Sequence, residues 1–176
     1  MKTKALFIII LMSMSFFGIA QSAERKTQIQ NNERGIIQSV EFSSEDETFR
    51  IPKSADEFFR DMLKVQTADR FEKRPHRSRR EGFTHEHFQQ YYDGIRVEGG
   101  GYNFHFRNDE MFFAHGNYVR IDGLNTKPAI SASEAKTLFA RHMEIPIEII
   151  TDYLSDLIIK EIPFQDNALP MLVYIK

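Results

Sequence analysis

The stretch from Phe83 to Tyr118 alternates apolar and polar residues, and it constrains the fold more than any other part of the chain. Its first part, Thr84 to Tyr92, is rich in aromatic and β-compatible residues, and Asp93-Gly94 follows directly. Asp-Gly favours a type I′ hairpin turn, because both central residues of that turn need a positive φ. Asn108-Asp109 indicates a second turn, and Met111 to Tyr118 a third strand. The pattern therefore predicts a β-meander.

Three consecutive glycines, Gly99 to Gly101, interrupt the alternation. Apolar residues fall at odd positions in Ile95 and Val97, and at even positions from Tyr102 to Phe106. A strand keeps its phase unless residues are inserted, so the glycines are predicted to host a bulge. Val97 and Phe104 should then lie on the same face of the sheet. The glycines are not interpreted as a phosphate-binding loop.

Before the meander, the sequence predicts a polar lead-in, a strand and a helix. The region from Glu24 to Arg34 is polar and aperiodic, whereas Ile36 to Phe42 reads as a strand. A helix is predicted from Ser54, because Ser54 and Glu57 have capping-box spacing. Four apolar residues then form one stripe that should pack on a sheet: Phe58, Phe59, Met62 and Leu63.

A basic segment, Arg70 to Arg80, follows that helix and contains six Lys and Arg residues around Pro75. A nucleic-acid site, a processing site and a solvated loop are the three alternatives. Binding of single-stranded nucleic acid favours interleaved aromatic residues, and the segment holds only Phe71. Proteolysis here would split the predicted module. The solvated loop is the favoured interpretation.

After the meander, Leu124 to Pro128 reads as a linker, and a second helix is predicted from Ser131 with Glu134 completing a capping box. Ala135, Leu138 and Phe139 should face inward. Ile145-Pro146 should end this helix. Two further strands, Leu157 to Ile162 and Leu169 to Ile175, are predicted around a turn at Asp166-Asn167.

The N-terminus predicts export. Lys2 and Lys4 precede an apolar run from Ala5 to Ile19, and small residues follow around Ala20 and Ser22. This layout is typical of a secretory signal peptide, here residues 1–22, and the apolar run is shorter than a spanning helix needs. We therefore expect a secreted or periplasmic protein without a membrane anchor. The chain contains no cysteine, so disulfides cannot stabilise it.

The chain shows no catalytic or cofactor motif. It has no G-x-S-x-G elbow, no cysteine nucleophile and no Walker loop. His85 and His87 share a strand face, but spacing assigns no third ligand, and His85-Glu86-His87 is not the H-E-x-x-H of zinc peptidases. We expect no catalytic residue, no metal ligand and no cofactor.

The stretch Glu81 to Gly100 resembles the fungalysin/thermolysin propeptide motif. That motif has a His-containing strand, Phe-x-Gln-x-Tyr, a turn with Gly, and a hydrophobic-x-Val-x-Gly strand. The matching residues are Phe88, Gln90, Tyr92, Gly94, Ile95, Val97 and Gly99. His105 and Gly116-Asn117-Tyr118 fall where the family often has a His and a closing turn. The resemblance extends to about Pro128.

The region after Pro128 resembles the start of a PepSY unit, with Lys127 to Ser131 leading into its helix and Leu157 to Ile175 forming its first hairpin. Such units end with further strands, and the catalytic domain normally comes next. Neither is present in this sequence. We therefore expect a partial second unit.

The resemblance implies an α+β fold, a cystatin-like antiparallel meander with a packed helix, followed by a helix and hairpin. The expected organisation is residues 1–22 as signal peptide, 23–53 as lead-in and first strand, 54–128 as propeptide-motif domain and 129–176 as PepSY-like unit. The implied function is that of a non-catalytic pro-region, which assists folding of a thermolysin-like peptidase and inhibits it temporarily. The peptidase catalytic domain would be the partner, rather than nucleic acid. The alternative is a periplasmic or surface module that reuses the fold to bind peptides or glycans.

Overall fold

The strands form one mixed sheet in the computed structural model, which describes residues 25–75, 79–150, 156–164 and 167–175. Within these ranges the sheet has nine strands. They are β1 Gln28–Asn31, β2 Ile37–Glu41, β3 Asp69–Arg74, β4 Arg79–Arg80, β5 Phe83–Tyr92, β6 Ile95–Arg107, β7 Glu110–Asn117, β8 Asp156–Phe164 and β9 Asn167–Ile175. The helices are α1 Ala55–Glu57, which continues as a π-helical turn over Phe58–Leu63, α2 Ala132–His142, and a 3₁₀ turn Ile147–Ile149. The α+β class is confirmed.

The predicted meander is confirmed as β5, β6 and β7, which pair antiparallel in sequence order. Asp93 and Gly94 have φ values of 49° and 80°, the signs that a type I′ turn requires. Asn108 and Asp109 are also at positive φ, so the second predicted turn is present as well. The other strands join in the order β1-β2-β7-β6-β5-β3.

The predicted bulge lies at the glycines, but it is larger than a single residue. Tyr91 pairs with Arg96 and Gln89 with Gly101, so β6 advances five residues while β5 advances two. β6 thus contains three extra residues relative to β5. Because three is odd, the apolar positions change from odd to even residue numbers while the same face of the sheet stays buried. Val97 and Phe104 are both buried on that face, as predicted.

The main core lies between the first helix and the sheet. Ser54 caps the helix by accepting a hydrogen bond from the backbone N–H of Glu57 at 3.2 Å, but the Glu57 carboxylate accepts from the backbone N–H of Lys53 rather than of Ser54. Lys64, in the left-handed conformation, ends the helix. Phe58 and Phe59 are buried against aromatic rings of the sheet. Those rings are Phe88, Tyr102 and Phe104.

Two segments predicted to lack regular structure form strands. The basic segment was predicted as a loop, but Asp69 to Arg74 pairs along β5, and Arg79–Arg80 adds a short pair to β5. In Asp69 to Arg74 only Phe71 packs against the core, and the other residues are charged, as is common in an edge strand. The alternation of apolar and polar residues was therefore too weak to predict this strand. The polar lead-in likewise contains β1, which is exposed along its length and pairs with β2.

The C-terminal region joins the same sheet, because β8 pairs in parallel with β6 at Arg96↔Ile158 and Val97↔Ile159. β9 pairs antiparallel with β8, and part of the predicted turn between them lies outside the described residues. The capping box of α2 is confirmed at Ser131 and Glu134. The predicted inward face of α2 is not buried as expected: Leu138 and Phe139 are 47% and 51% exposed, and Ala140 is the buried residue. Ala135 and Phe139 nevertheless line an apolar cavity of the C-terminal region. The division into domains stays a prediction.

Candidate functional site

Four of the seven residues that carry the propeptide resemblance are buried in the sheet, namely Phe88, Gln90, Tyr92 and Val97. Phe88 packs in the core beneath the first helix. Tyr92 and Val97 belong to a second apolar cluster with Val119, Ile121 and Ile159. These side chains hold the meander together and are not available to a ligand.

Gln90 is fully buried and joins three parts of the chain. Its Nε2 donates to Asp69 Oδ1 at 2.9 Å and to the Val119 carbonyl at 2.8 Å, and its Oε1 accepts from the Val119 N–H at 3.0 Å. The side-chain amide therefore replaces a strand partner for the segment after β7. Asp69 Oδ2 also accepts from the Tyr118 hydroxyl at 2.6 Å. Burial raises the pKa of Asp69 and, together with that hydrogen bond, the pKa of Tyr118.

The glycines of the meander allow close contacts with the backbone. A Cβ on Gly100 would lie 2.9 Å from Gln90 Cβ and overlap Oε1 of the same side chain. A Cβ on Gly116 would lie 2.7 Å from Tyr102 Cα and overlap the Gly101 carbonyl oxygen. Gln89 Nε2 donates to the carbonyls of Val97 and Gly100, both at 2.7 Å, and so fixes the bulge. The glycines are structural, and no phosphate-binding geometry is built on them.

The opposite face of β5, β6 and β7, which points away from the first helix, carries polar and aromatic side chains that are partly or fully exposed. We call it the histidine face. It consists of Phe83, His85, His87, Asn103, His105, Arg107, Phe112, Phe113 and His115.

Three histidines from three strands contact one another on this face. His85 and His105 are directly opposed, with their Nδ1 atoms 2.6 Å apart. The His115 ring stacks on the His105 ring, with centroids 5.3 Å apart and planes at 17°. His105 Nε2 is buried without a hydrogen-bond partner. Burial, together with the charges of His85 and His115, lowers the pKa of His105.

The remaining members of the histidine face form two further contacts. His87 Nδ1 lies 2.9 Å from Asn103 Oδ1. The Arg107 guanidinium lies 5.2 Å from the Phe83 ring centroid and 5.1 Å from that of Phe112, within cation–π range of both. This cluster combines Arg and aromatic groups, the residue types that are enriched at protein interfaces.

Sequence reasoning found His85 and His87 on one face but missed their neighbours across the strands. His105 and His115 become neighbours only once the register of the meander is known. The extra residues at the glycine bulge prevent that register from being counted out from the Asp93-Gly94 turn. A second bulge, at Phe112, likewise prevents the β6–β7 register from being counted out from the Asn108-Asp109 turn.

Metal binding stays unsupported by the described part of the chain, where no group of three or more His, Asp or Glu side chains is arranged to hold a metal ion. In the part of the basic segment that the structure describes, two cationic side chains lie next to carboxylates. Lys73 pairs with Glu86, and Arg70 lies 3.6 Å from Glu72. Arg74 is exposed on β3 opposite His87.

A separate apolar cavity of about 780 Å³ lies in the C-terminal region. Its walls come from α2, the 3₁₀ turn and strands β8 and β9, including Phe139, Ile149, Leu157 and Leu172. It contains neither a charge cluster nor any of the propeptide-motif residues. None of the described helices combines the length and the apolar character that crossing a bilayer demands. The predicted signal peptide lies outside the described residues.

Residues 74–118 match the family model of the Fungalysin/Thermolysin Propeptide Motif. The match begins at the last residue of β3, spans the whole meander with both of its turns, and ends at Tyr118 just after β7. No curated protein matches the chain. The resemblance over this segment is thus confirmed, whereas the PepSY-like unit stays a prediction.

Proposed function

We propose that this chain is a non-catalytic pro-region module that binds the catalytic domain of a secreted thermolysin-like peptidase. The observation that carries the proposal is the propeptide-motif match over residues 74–118, which coincides with the folded meander. Such a module would act outside the cytoplasm, either attached to its enzyme or as a separate chain. Its task would be to assist folding of the enzyme and to inhibit it temporarily.

The buried motif residues and the exposed face of the sheet would have separate roles in the module. Phe88, Gln90 and Tyr92 are buried, so they specify the sheet rather than touch a partner. The first helix covers one side of the sheet, in the packing that we interpret as cystatin-like. The histidine face on the other side is left for recognition.

The histidine face has the composition of a binding surface. Phe83, Phe112 and Phe113 are partly exposed there, and Arg107 is exposed between the first two. Aromatic and Arg side chains contribute most of the binding energy at many protein interfaces, because they desolvate a large area with few rotatable bonds. Affinity would come from burying this surface, and no side chain needs to react.

Calorimetry with the purified chain and the catalytic domain of a thermolysin-like peptidase from the same organism tests the proposal. We expect binding, and a higher yield of active enzyme when the domain refolds in the presence of the chain. Arg107→Ala should weaken binding about tenfold or more, the loss typical of an interface hot spot.

Lys53→Ala provides the matched control, because Lys53 is an exposed cation at the start of the first helix, on the other side of the sheet. Both variants should unfold at nearly the wild-type temperature. Equal affinity for Arg107→Ala and Lys53→Ala would remove the histidine face from the interface. Absence of both binding and refolding gain would refute the pro-region function and favour a module that binds peptides or glycans.

A further inference from the structure

The His85–His105–His115 cluster joins three strands through contacts that are lost when both His85 and His105 carry a charge. A hydrogen bond between the Nδ1 atoms of His85 and His105, 2.6 Å apart, needs one N–H and one lone pair. When both rings are protonated, two N–H groups face each other and the bond is lost. His115, stacked at 5.3 Å on the other side of His105, would add a third charge at short range.

His105 is the member least able to accept a charge. Its Nε2 is buried without a hydrogen-bond partner, so an imidazolium N–H there would be left unsatisfied. Burial and the two neighbouring histidines all lower its pKa, in that order of size.

The charged groups around the cluster do not compensate for added protons. Arg107 lies on the same strand as His105, two residues further along. His87 of β5 is a further histidine on this face, and it lies opposite Arg74 of β3. The carboxylates that register places near this face are Glu41, opposite Phe113, and Glu110, opposite Arg107. Neither is opposite a histidine of the cluster, and neither contributes to the shift of His105.

We propose that the His85–His105–His115 cluster is an acid-sensitive lock, which stabilises the meander while its rings are neutral and loosens it when they become charged. The unfolded chain takes up a proton on each of these histidines below about pH 6.5, whereas the folded chain resists charging His105. The unfolded state therefore binds more protons, and the free energy of unfolding decreases as the pH is lowered. This lock belongs to the fold and is independent of whether the chain binds a peptidase.

Other groups with shifted pKa values act in a different pH range. The pKa values of Asp46, Asp61 and Glu134 are lowered from ordinary values of 3.8, 3.8 and 4.5. Their contribution is present above those values and is lost only as pH falls below them. The pKa of Asp69 is raised, so its protonation does not destabilise the fold. A loss of stability between about pH 7 and pH 5 therefore points to the histidines, because protonation of Asp69 acts in the opposite direction.

Urea unfolding of the purified chain at about pH 7.5 and pH 5 tests the lock. We expect the folding equilibrium constant of the wild-type chain to fall about three- to tenfold on acidification. The folding equilibrium constant of His105→Gln should fall much less over the same pH range, because the ring that resists protonation is gone. His142→Gln removes an exposed histidine of α2, and its folding equilibrium constant should fall as much as that of the wild-type chain.

Histidine proton resonances of the wild-type chain provide a second measurement, which does not need a variant to fold. The His105 ring should titrate below the ordinary histidine value of 6.5. A wild-type stability that does not change between the two pH values, an equal loss in His105→Gln, or a His105 ring that titrates at or above 6.5 would each overturn the proposal.

Discussion

The identity of several residues in this chain is explained by the groups packed around them and not by a chemical reaction. Gln90 shows this for a polar side chain, because its amide satisfies backbone groups that no strand reaches. Gly116 shows it for a missing side chain, because the Gly101 carbonyl and the Tyr102 backbone occupy the position of a Cβ. A sequence pattern detects that such residues belong to a motif, but the reason for each lies in contacts between strands.

Gly116→Ala should lower the free energy of unfolding by about 3 kcal/mol, because the new methyl group meets backbone atoms that cannot rotate away. Gly123→Ala is the control. Gly123 has a positive φ of 68° but no atom within 4 Å of its Cβ position, so the cost is limited to backbone strain of about 1 kcal/mol. Chemical denaturation of both variants measures the difference, and equal losses would contradict the steric explanation.

Among the elements, the edge strand β3 depends on one aromatic side chain, that of Phe71, which contacts the rings of Phe59, Tyr102 and Tyr118. The Phe71 ring stacks on the Phe59 ring, with centroids 4.1 Å apart and planes at 14°. The other β3 side chains are partly or fully exposed, so Phe71 provides the apolar contact that holds the strand over the helix.

Phe71→Ala should therefore cost about 2 kcal/mol, less than a fully buried Phe because Phe71 is partly exposed. Hydrogen exchange should show faster exchange of β3 amides, with β6 and β7 changed much less. Glu72→Ala, next to it on the solvent side, should leave β3 protection close to wild type. Uniform loss of protection across the sheet in Phe71→Ala would show that β3 is not an independent element.

The elements also show which parts of the fold the sequence could predict. The meander and both helix starts were predictable because Asp93-Gly94, the alternation and the serine caps act over a few residues. β1 and β3 were missed because edge strands expose charged or polar residues on both faces. The contact between His85 and His105 required the register across a bulge, which is a property of the pair of strands.

At the scale of the whole molecule, the sheet is continuous but its core is uneven. The described residues between Ile36 and Tyr118 supply the larger apolar cluster, with Tyr102 and Phe104 fully buried. In the C-terminal region Ile158 and Ile159 are buried, whereas several large apolar side chains are more than a third exposed. These exposed residues are Ile130, Leu138, Phe139, Met143, Ile147, Ile149, Leu169 and Met171.

This difference in burial predicts a difference in local stability. Amides of the strands between Thr84 and Tyr118 should exchange more slowly than those of β9, because β9 pairs only with β8 in the described structure and packs beside an open apolar cavity. β8 should be intermediate, since Ile159 is buried against Val97 in the second apolar cluster. Hydrogen exchange of the purified chain under native conditions measures this order. Equal protection of β9 and β6 would mean that the C-terminal hairpin opens only when the whole sheet unfolds, and that the apolar exposure around α2 costs the fold no local stability.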